Sequence, residues 1–189
     1  MQIKQKNMWV RETKLKGCYI IQLDRYNDER GSFMETYNKF FYKNHSELNV
    51  TYVQDNLSVS NMYVLRGLHF QTGEHAQAKL VSVVKGSVLD VVVDIRVGSP
   101  TYGEHVSVHL TESNRKQVFV PKGFAHGFIS LEMGSIFTYK CDNYYNKESE
   151  SGIIFNDKDL DIDWKIPSEL IVVSEKDLEL PTFRDIKNS

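Results

Sequence analysis

The feature that most constrains this chain is an alternation of period two, repeated in short runs between glycine and proline turn signals. Leu89, Val91, Val93 and Ile95 fall on one face of an extended segment, with Val88, Asp90, Val92 and Asp94 on the other, directly after Gly86-Ser87. Val106, Val108 and Leu110 alternate with Ser107 and His109 in the same way. Leu80 to Val84, Gln117 to Val120 and Ile136 to Cys141 add further runs of β-branched and aromatic residues. Gly73, Gly86, Gly98-Ser99-Pro100, Gly103, Pro121-Lys122-Gly123 and Gly134-Ser135 separate these runs at hairpin-like intervals. Many short strands with frequent turns imply a mainly β protein, an antiparallel sandwich or barrel. Helix is a minor component. Lys39 to Leu48 carries Phe40, Phe41, His45 and Leu48 at roughly helical spacing behind Asn38 as a cap, and Ser174 to Leu180 has room for a turn or two.

A chain of 189 residues buries one substantial core. With no internal repeat, low-complexity tract or Pro/Ser-rich linker, it reads as a single domain over 1–189. Lysine and arginine total 23 against 25 aspartate and glutamate, so a net charge of -2 leaves no electrostatic footprint for nucleic acid. A small anion needs only a few local cations and is not excluded. No apolar run is long enough to cross a bilayer, and Met1 to Val10 lacks the apolar core of a signal peptide. Cys18 and Cys141 form neither a C-x-x-C pair nor a disulfide framework. The expectation is a soluble, cytoplasmic protein without nucleic-acid or membrane partners.

Three segments concentrate chemistry. Val64-Leu65-Arg66-Gly67-Leu68-His69-Phe70-Gln71, followed by Lys79, places a base near two cations. In a regular strand Arg66 and His69 face opposite ways, because an odd separation changes face. A bulge at Gly67 brings both to one site; otherwise His69 is a half-buried core histidine and Arg66 a surface charge. In Val120 to Phe128, His126 sits among glycines that allow close approach of a ligand or simply make a turn, and the segment alone favours the turn. In Phe137-Thr138-Tyr139-Lys140, the Tyr139 phenol shares a strand face with Phe137 and Cys141, where packing competes with proton donation. Asp90 and Asp94, alternating on one strand face, read as structural acids.

Taken together, these segments closely resemble the dTDP-4-dehydrorhamnose 3,5-epimerase family of the cupin superfamily. The likeness runs almost end to end. Its landmarks are Asp28-Glu29-Arg30-Gly31 with Glu35-Thr36-Tyr37, Val53-Gln54-Asp55-Asn56, Val64 to Gln71, Gln77-Ala78-Lys79-Leu80, Asp90 to Arg96, Ser99-Pro100-Thr101, Pro121 to Phe128, Tyr139-Lys140, Asn143-Tyr144-Tyr145 and Ser174-Glu175-Lys176-Asp177. The resemblance implies a cupin-type jelly-roll β-sandwich with a few short helices, forming a homodimer whose N-terminal segments exchange strands. It implies His69 as catalytic base, Asp177 as its carboxylate partner, Tyr139 as acid on the far side of the sugar, and Lys79 with Arg66 on the substrate carbonyl and neighbouring oxygens. Arg30, Glu35, Gln54, Asn56, His126, Glu150 and Lys176 match positions that bind the nucleotide or the sugar in the family. Ser32 departs from the pattern, standing where members often carry an aromatic beside Phe33.

The implied reaction is epimerisation of dTDP-4-keto-6-deoxyglucose at C3 and C5, and those residue types suit it. A hydrogen beside a ketone leaves only if the developing enolate oxygen is stabilised, which a preorganised ammonium does. An imidazole is largely neutral yet basic near pH 7, and a carboxylate on its other nitrogen fixes the tautomer. Inversion requires a second proton donor on the opposite face, the place for Tyr139. The Ser174 to Asp177 run equally fits a capping pattern in which Asp177 only starts a helix. Three rivals stand beside this reading: a C3-only epimerase, a non-catalytic sugar-binding cupin, and a metal-dependent cupin. The last is disfavoured because no His-x-His pair exists and His69 and His75 flank a flexible Gly73. No metal and no other cofactor is expected.

Overall fold

The computed structural model describes residues 9–45 and 48–187. The first strands are β1 (Trp9–Glu12), β2 (Tyr19–Gln22) and the exposed hairpin β3 (Tyr26–Asp28) with β4 (Gly31–Phe33). The central strands are β5 (Gln54–Ser60), β6 (Leu65–Gln71), β7 (Lys79–Lys85), β8 (Ser87–Asp94) and β9 (His105–Thr111). They are followed by β10 (Lys116–Val120), β11 (Phe124–Ser130), β12 (Ser135–Cys141) and β13 (Glu150–Gly152). Short helices α1 (Lys39–Tyr42), α2 (Glu175–Leu178) and α3 (Phe183–Lys187) complete the elements that bear on the site.

All inter-strand pairings of the two main sheets are antiparallel. One sheet runs β1-β2-β10-β7-β12-β5 and the other β13-β6-β11-β8-β9. They face each other as a sandwich, one of the two arrangements the alternation allows and the jelly-roll form that the family resemblance implies. The strands expected at 80–84, 88–95, 106–110, 117–120 and 136–141 are β7, β8, β9, β10 and β12.

Between the sheets Val81, Val118, Val120 and Phe137 meet Val88, Val92, Val108, Leu110, Phe124 and Phe128. The opposite face of β8 is buried as well, since Leu89, Val91 and Val93 lie under a C-terminal cover formed by Ile153, Phe155, Leu160 and Trp164. Every residue of β8 is buried, so valines and leucine stand on both alternating faces and its two acids, Asp90 and Asp94, are enclosed, whereas β9 shows Ser107 and His109 to solvent and buries Val108 and Leu110. A third cluster packs Tyr42 and Leu48 against Ile21, Leu80 and Phe119 on the outside of the six-stranded sheet.

The first expected helix is shorter than its pattern. Asn38 Oδ1 accepts from Phe40 N at 3.0 Å as the cap, but Asn44 and His45 then bond back three residues, which tightens the turn and ends it. Tyr42 is its one buried residue, its hydroxyl donating to Gln117 Oε1 at 2.6 Å; Phe41 packs half-buried beside it, while Phe40 faces solvent. Ser46 and Glu47, inside the expected span, lie outside the described residues.

The feature that positions the site is in β6. Phe128 pairs with Arg66 and His126 with His69, so two steps along β11 oppose three along β6. One extra residue is accommodated at Gly67, which has φ of +115°. A Cβ on Gly67 would lie 2.6 Å from Gly127 Cα and 2.7 Å from His126 O. Gly127 answers in kind, with a Cβ there 2.8 Å from Arg66 O. Gly127 is therefore not at a turn: it lies inside β11 and lets two backbones touch. We expect Gly67→Ala to cost at least about 1–3 kcal/mol from overpacking alone, with backbone strain added. Urea unfolding of the variant beside the parent measures it.

Candidate active site

The bulge brings Arg66 and His69 to the same side. Both line a cavity of about 520 Å³ together with Lys79, His126, Phe128, Phe137, Tyr139, Lys176 and Asp177. A neighbouring cavity of about 290 Å³ is lined by Gln54, Asn56, His69, Gln71, Gln77, Lys79, Tyr139, Tyr145 and Glu150. His69, Lys79 and Tyr139 border both, so they form the seam between the two chambers. His69 and His126 come from the five-stranded sheet; Lys79 and Tyr139 come from the facing sheet.

His69 Nε2 lies 2.7 Å from Asp177 Oδ1, leaving Nδ1 unclaimed by that bond. Asp177 is buried, with the Gly67 N–H 3.5 Å from its other oxygen. Burial alone would raise its pKa, but the bond to His69, that ring's charge, the Gly67 N–H and the Ser174 hydroxyl hold it below the usual carboxylate range. Its position comes from α2: Ser174 caps that turn, its Oγ accepting from Asp177 N at 3.1 Å. The capping and dyad readings of Ser174 to Asp177 are thus one structure, because the backbone N–H serves the cap while the carboxylate crosses to β6.

Burial lowers the Lys79 ammonium from the ordinary lysine range, offset in part by Cys141, Asp90 and Glu150. The ammonium lies 5.9 Å from the Tyr139 ring centre. Burial likewise raises the Tyr139 phenol, aided by Cys141 and opposed by Arg66, so the hydroxyl keeps its proton at neutral pH. Arg66 is held by Ser60 Oγ at 3.1 Å and Val59 O at 3.4 Å.

Of the other residues expected at a site, Gln54 and Asn56 bond each other at 3.1 Å beside Tyr139. Glu150 accepts from the Tyr145 hydroxyl at 2.9 Å and from the Lys176 ammonium. Burial would raise Glu150, but Lys176, Tyr145 and the His69 charge lower it. Arg30 and Glu35 are not brought in: Arg30 pairs with Asp28 on the exposed hairpin, and Glu35 accepts from Asn38. Neither lines the two chambers.

Sequence reasoning missed the second imidazole–carboxylate pair. His126 Nε2 lies 2.7 Å from Asp90 Oδ2, both buried. Asp94, by contrast, is structural as expected, bonding Arg96, Ser99 and Thr101. Tyr145 and Gln77 also went unassigned; their place comes from side-chain bonds that no local pattern shows, Gln77 donating to Asn143 O and Gln54 accepting from Tyr145 N. Among the described residues no three His, Cys, Asp or Glu side chains group as a metal would require, and no helix is long and apolar enough to cross a membrane.

The model of the dTDP-4-dehydrorhamnose 3,5-epimerase family matches residues 12–185. The chain belongs to that family. It is accordingly an isomerase. The epimerase of that name from Methanothermobacter thermautotrophicus is 46% identical over 177 residues, covering 92% of this chain and 94% of the relative. The crystal structure of the enzyme from Elizabethkingia anophelis superposes with a TM-score of 0.90 at 52% identity, covering 94% and 97% of the two chains. A Legionella pneumophila 3,5-epimerase, solved in complex with dTDP-4-keto-L-rhamnose, gives a TM-score of 0.90 at 43% identity and covers 94% of each chain.

Asp177 and Asp94 tie the site and the loop after β8 to the same acid limit. Burial opposes ionisation of Asp94, yet the bonds from Arg96, Ser99 and Thr101 hold it well below the carboxylate range. For both groups the folded value is depressed, so their stabilisation is complete above the unfolded pKa of about 4 and is lost as pH falls through the folded values. We expect stability to drop steeply below about pH 4. Unfolding midpoints from pH 6 to 2 should show it, and Asp94→Asn should flatten the slope.

Proposed function

We propose that the chain inverts C3 and C5 of dTDP-4-keto-6-deoxyglucose to give dTDP-4-keto-L-rhamnose. The observation that carries this reading is the seam at which an imidazole, a phenol and an ammonium meet. His69 and Tyr139 approach from facing sheets, and Lys79 borders both chambers with them. The relative solved with dTDP-4-keto-L-rhamnose, the product of such a double inversion, supports the choice of substrate.

In this mechanism Asp177 accepts the Nε2 proton of His69, which leaves Nδ1 as the base that removes the hydrogen next to the C4 ketone. The imidazolium so formed is stabilised by the buried carboxylate. Lys79, with Arg66 beside it, takes the charge that develops on the ketone oxygen. An ammonium already shielded from water does this without reorganising solvent. Tyr139, still protonated, returns a proton to the opposite face. The imidazolium then loses its proton to water and the phenolate takes one back from water, and with both groups reset the cycle repeats at the second carbon flanking the ketone.

Gln54, Asn56 and Glu150 hold substrate in one chamber; Arg66, His126 and Lys176 hold it in the other. Arg30 and Glu35 serve the site through a homodimer, in which N-terminal segments exchange strands and the hairpin reaches the partner's chamber. Within one chain β1 pairs with β2 at the sheet edge, leaving an edge for such exchange; Met1 to Met8 lie outside the described residues. The reaction uses no resident metal or other cofactor. The protein acts as a single-domain cytoplasmic enzyme with no nucleic-acid or membrane partner.

Turnover of dTDP-4-keto-6-deoxyglucose in heavy water, followed by NMR, should place deuterium at both C3 and C5; deuterium at C3 alone overturns double inversion. We expect His69→Ala to reduce kcat by about 10²–10⁴-fold with dTDP affinity nearly intact. A variant keeping more than about a tenth of the rate removes His69 as base. Tyr139→Phe should lower incorporation at one carbon at least, and unchanged incorporation at both takes Tyr139 out of the mechanism.

A further inference from the structure

Between β12 and the turn at Lys147–Ser149 the chain runs through Asn143, Tyr144, Tyr145 and Asn146 without regular secondary structure. An irregular segment at a cavity mouth needs its backbone groups satisfied from elsewhere. Three glutamines do this. Gln71 Nε2 donates to Tyr144 O at 3.1 Å and to His75 O at 2.7 Å, while its Oε1 accepts from Asn146 N at 2.8 Å. Gln77 Nε2 donates to Asn143 O at 2.8 Å, and Gln54 Oε1 accepts from Tyr145 N at 3.0 Å.

Gln71 is the centre of this arrangement. It borders the smaller chamber and is 8% exposed, yet both amide hydrogens are already given to carbonyls and its oxygen already accepts. Two carbonyls on one side and an N–H on the other admit one orientation of the amide. A side chain so committed has no donor left for a ligand. What it fixes is the segment from which Tyr145 enters the chamber and bonds Glu150, the cross-strand neighbour of Gln71 itself.

We propose that Gln71 is a positioning residue for the epimerisation, acting on substrate binding through the Tyr144–Asn146 backbone and making no bond to the substrate. This rests on the proposed function above. Gln71→Met keeps length and bulk and removes all three bonds. Its expected signature is a KM for dTDP-4-keto-6-deoxyglucose raised about tenfold with kcat within about twofold of the parent. Hydrogen exchange at the Asn146 amide should be faster in the same variant, because its acceptor is gone.

A folded Gln71→Met protein with parental KM, or one that loses kcat at constant KM, overturns the proposal, as does unchanged exchange at Asn146. Should thermal unfolding show that Gln71→Met does not fold, Gln77→Met removes a single bond to the same segment and should raise KM about threefold at constant kcat. A parental KM there overturns the proposal equally. Wild-type protein that turns over no dTDP-4-keto-6-deoxyglucose removes the proposed function and this role with it. Wild-type turnover beside unaltered KM values in the variants removes the positioning role alone.

Discussion

The site depends on one extra residue in β6. Because the side chains of a strand alternate, Arg66 and His69 in a regular β6 would stand on opposite faces of the sheet. The register against β11 slips by one between them, and both then border one cavity. The slip is possible only where two backbones lie closer than any side chain allows, which is the contact of Gly67 with Gly127. His69 is also the cross-strand neighbour of His126, so the same slip sets the two imidazoles side by side. Each ring then finds a buried carboxylate, Asp177 from α2 and Asp90 from β8.

The second condition is the closeness of two sheets that contribute opposite chemistry. The five-stranded sheet supplies the imidazoles, and the six-stranded sheet supplies the ammonium of Lys79 and the phenol of Tyr139. Burial acts on the last two in the same sense. It disfavours the charged form of each, lowering the lysine and raising the tyrosine. The two shifts have one cause, the exclusion of water from the seam where the two sheets meet. Around this seam the walls are held by bonds that leave little freedom: Ser60 on Arg66, Ser174 on α2, and three glutamines on the loop that carries Tyr145.

How much of this was legible in the sequence varies by element. The strands after Gly86 were clear, since β9 has one wet face and β8 is buried on both. The short helix at Asn38 was legible at its cap and not at its end, because a single buried tyrosine, not a sustained apolar stripe, holds it. The residues of the seam were recognisable as a set only through their likeness to a family, because each one alone is equally at home in a core. Asp90 illustrates the limit. Its alternation with Asp94 suggested one structural role for both, yet one holds a histidine beside the cavity and the other a loop.

By itself the sequence determined the mainly β, antiparallel character and the place of most strands, through the period of its apolar residues and the spacing of its turns, because these are local properties that each strand carries with it. The choice of a jelly-roll sandwich over a barrel came from the family likeness. It also determined the inventory of chemical groups. The tertiary structure alone decided which of those groups meet. His69 and Asp177 are 108 residues apart, and His126 and Asp90 are 36 apart. Their meeting depends on strand register, and register is settled by the fit of one backbone against another, which no single segment encodes.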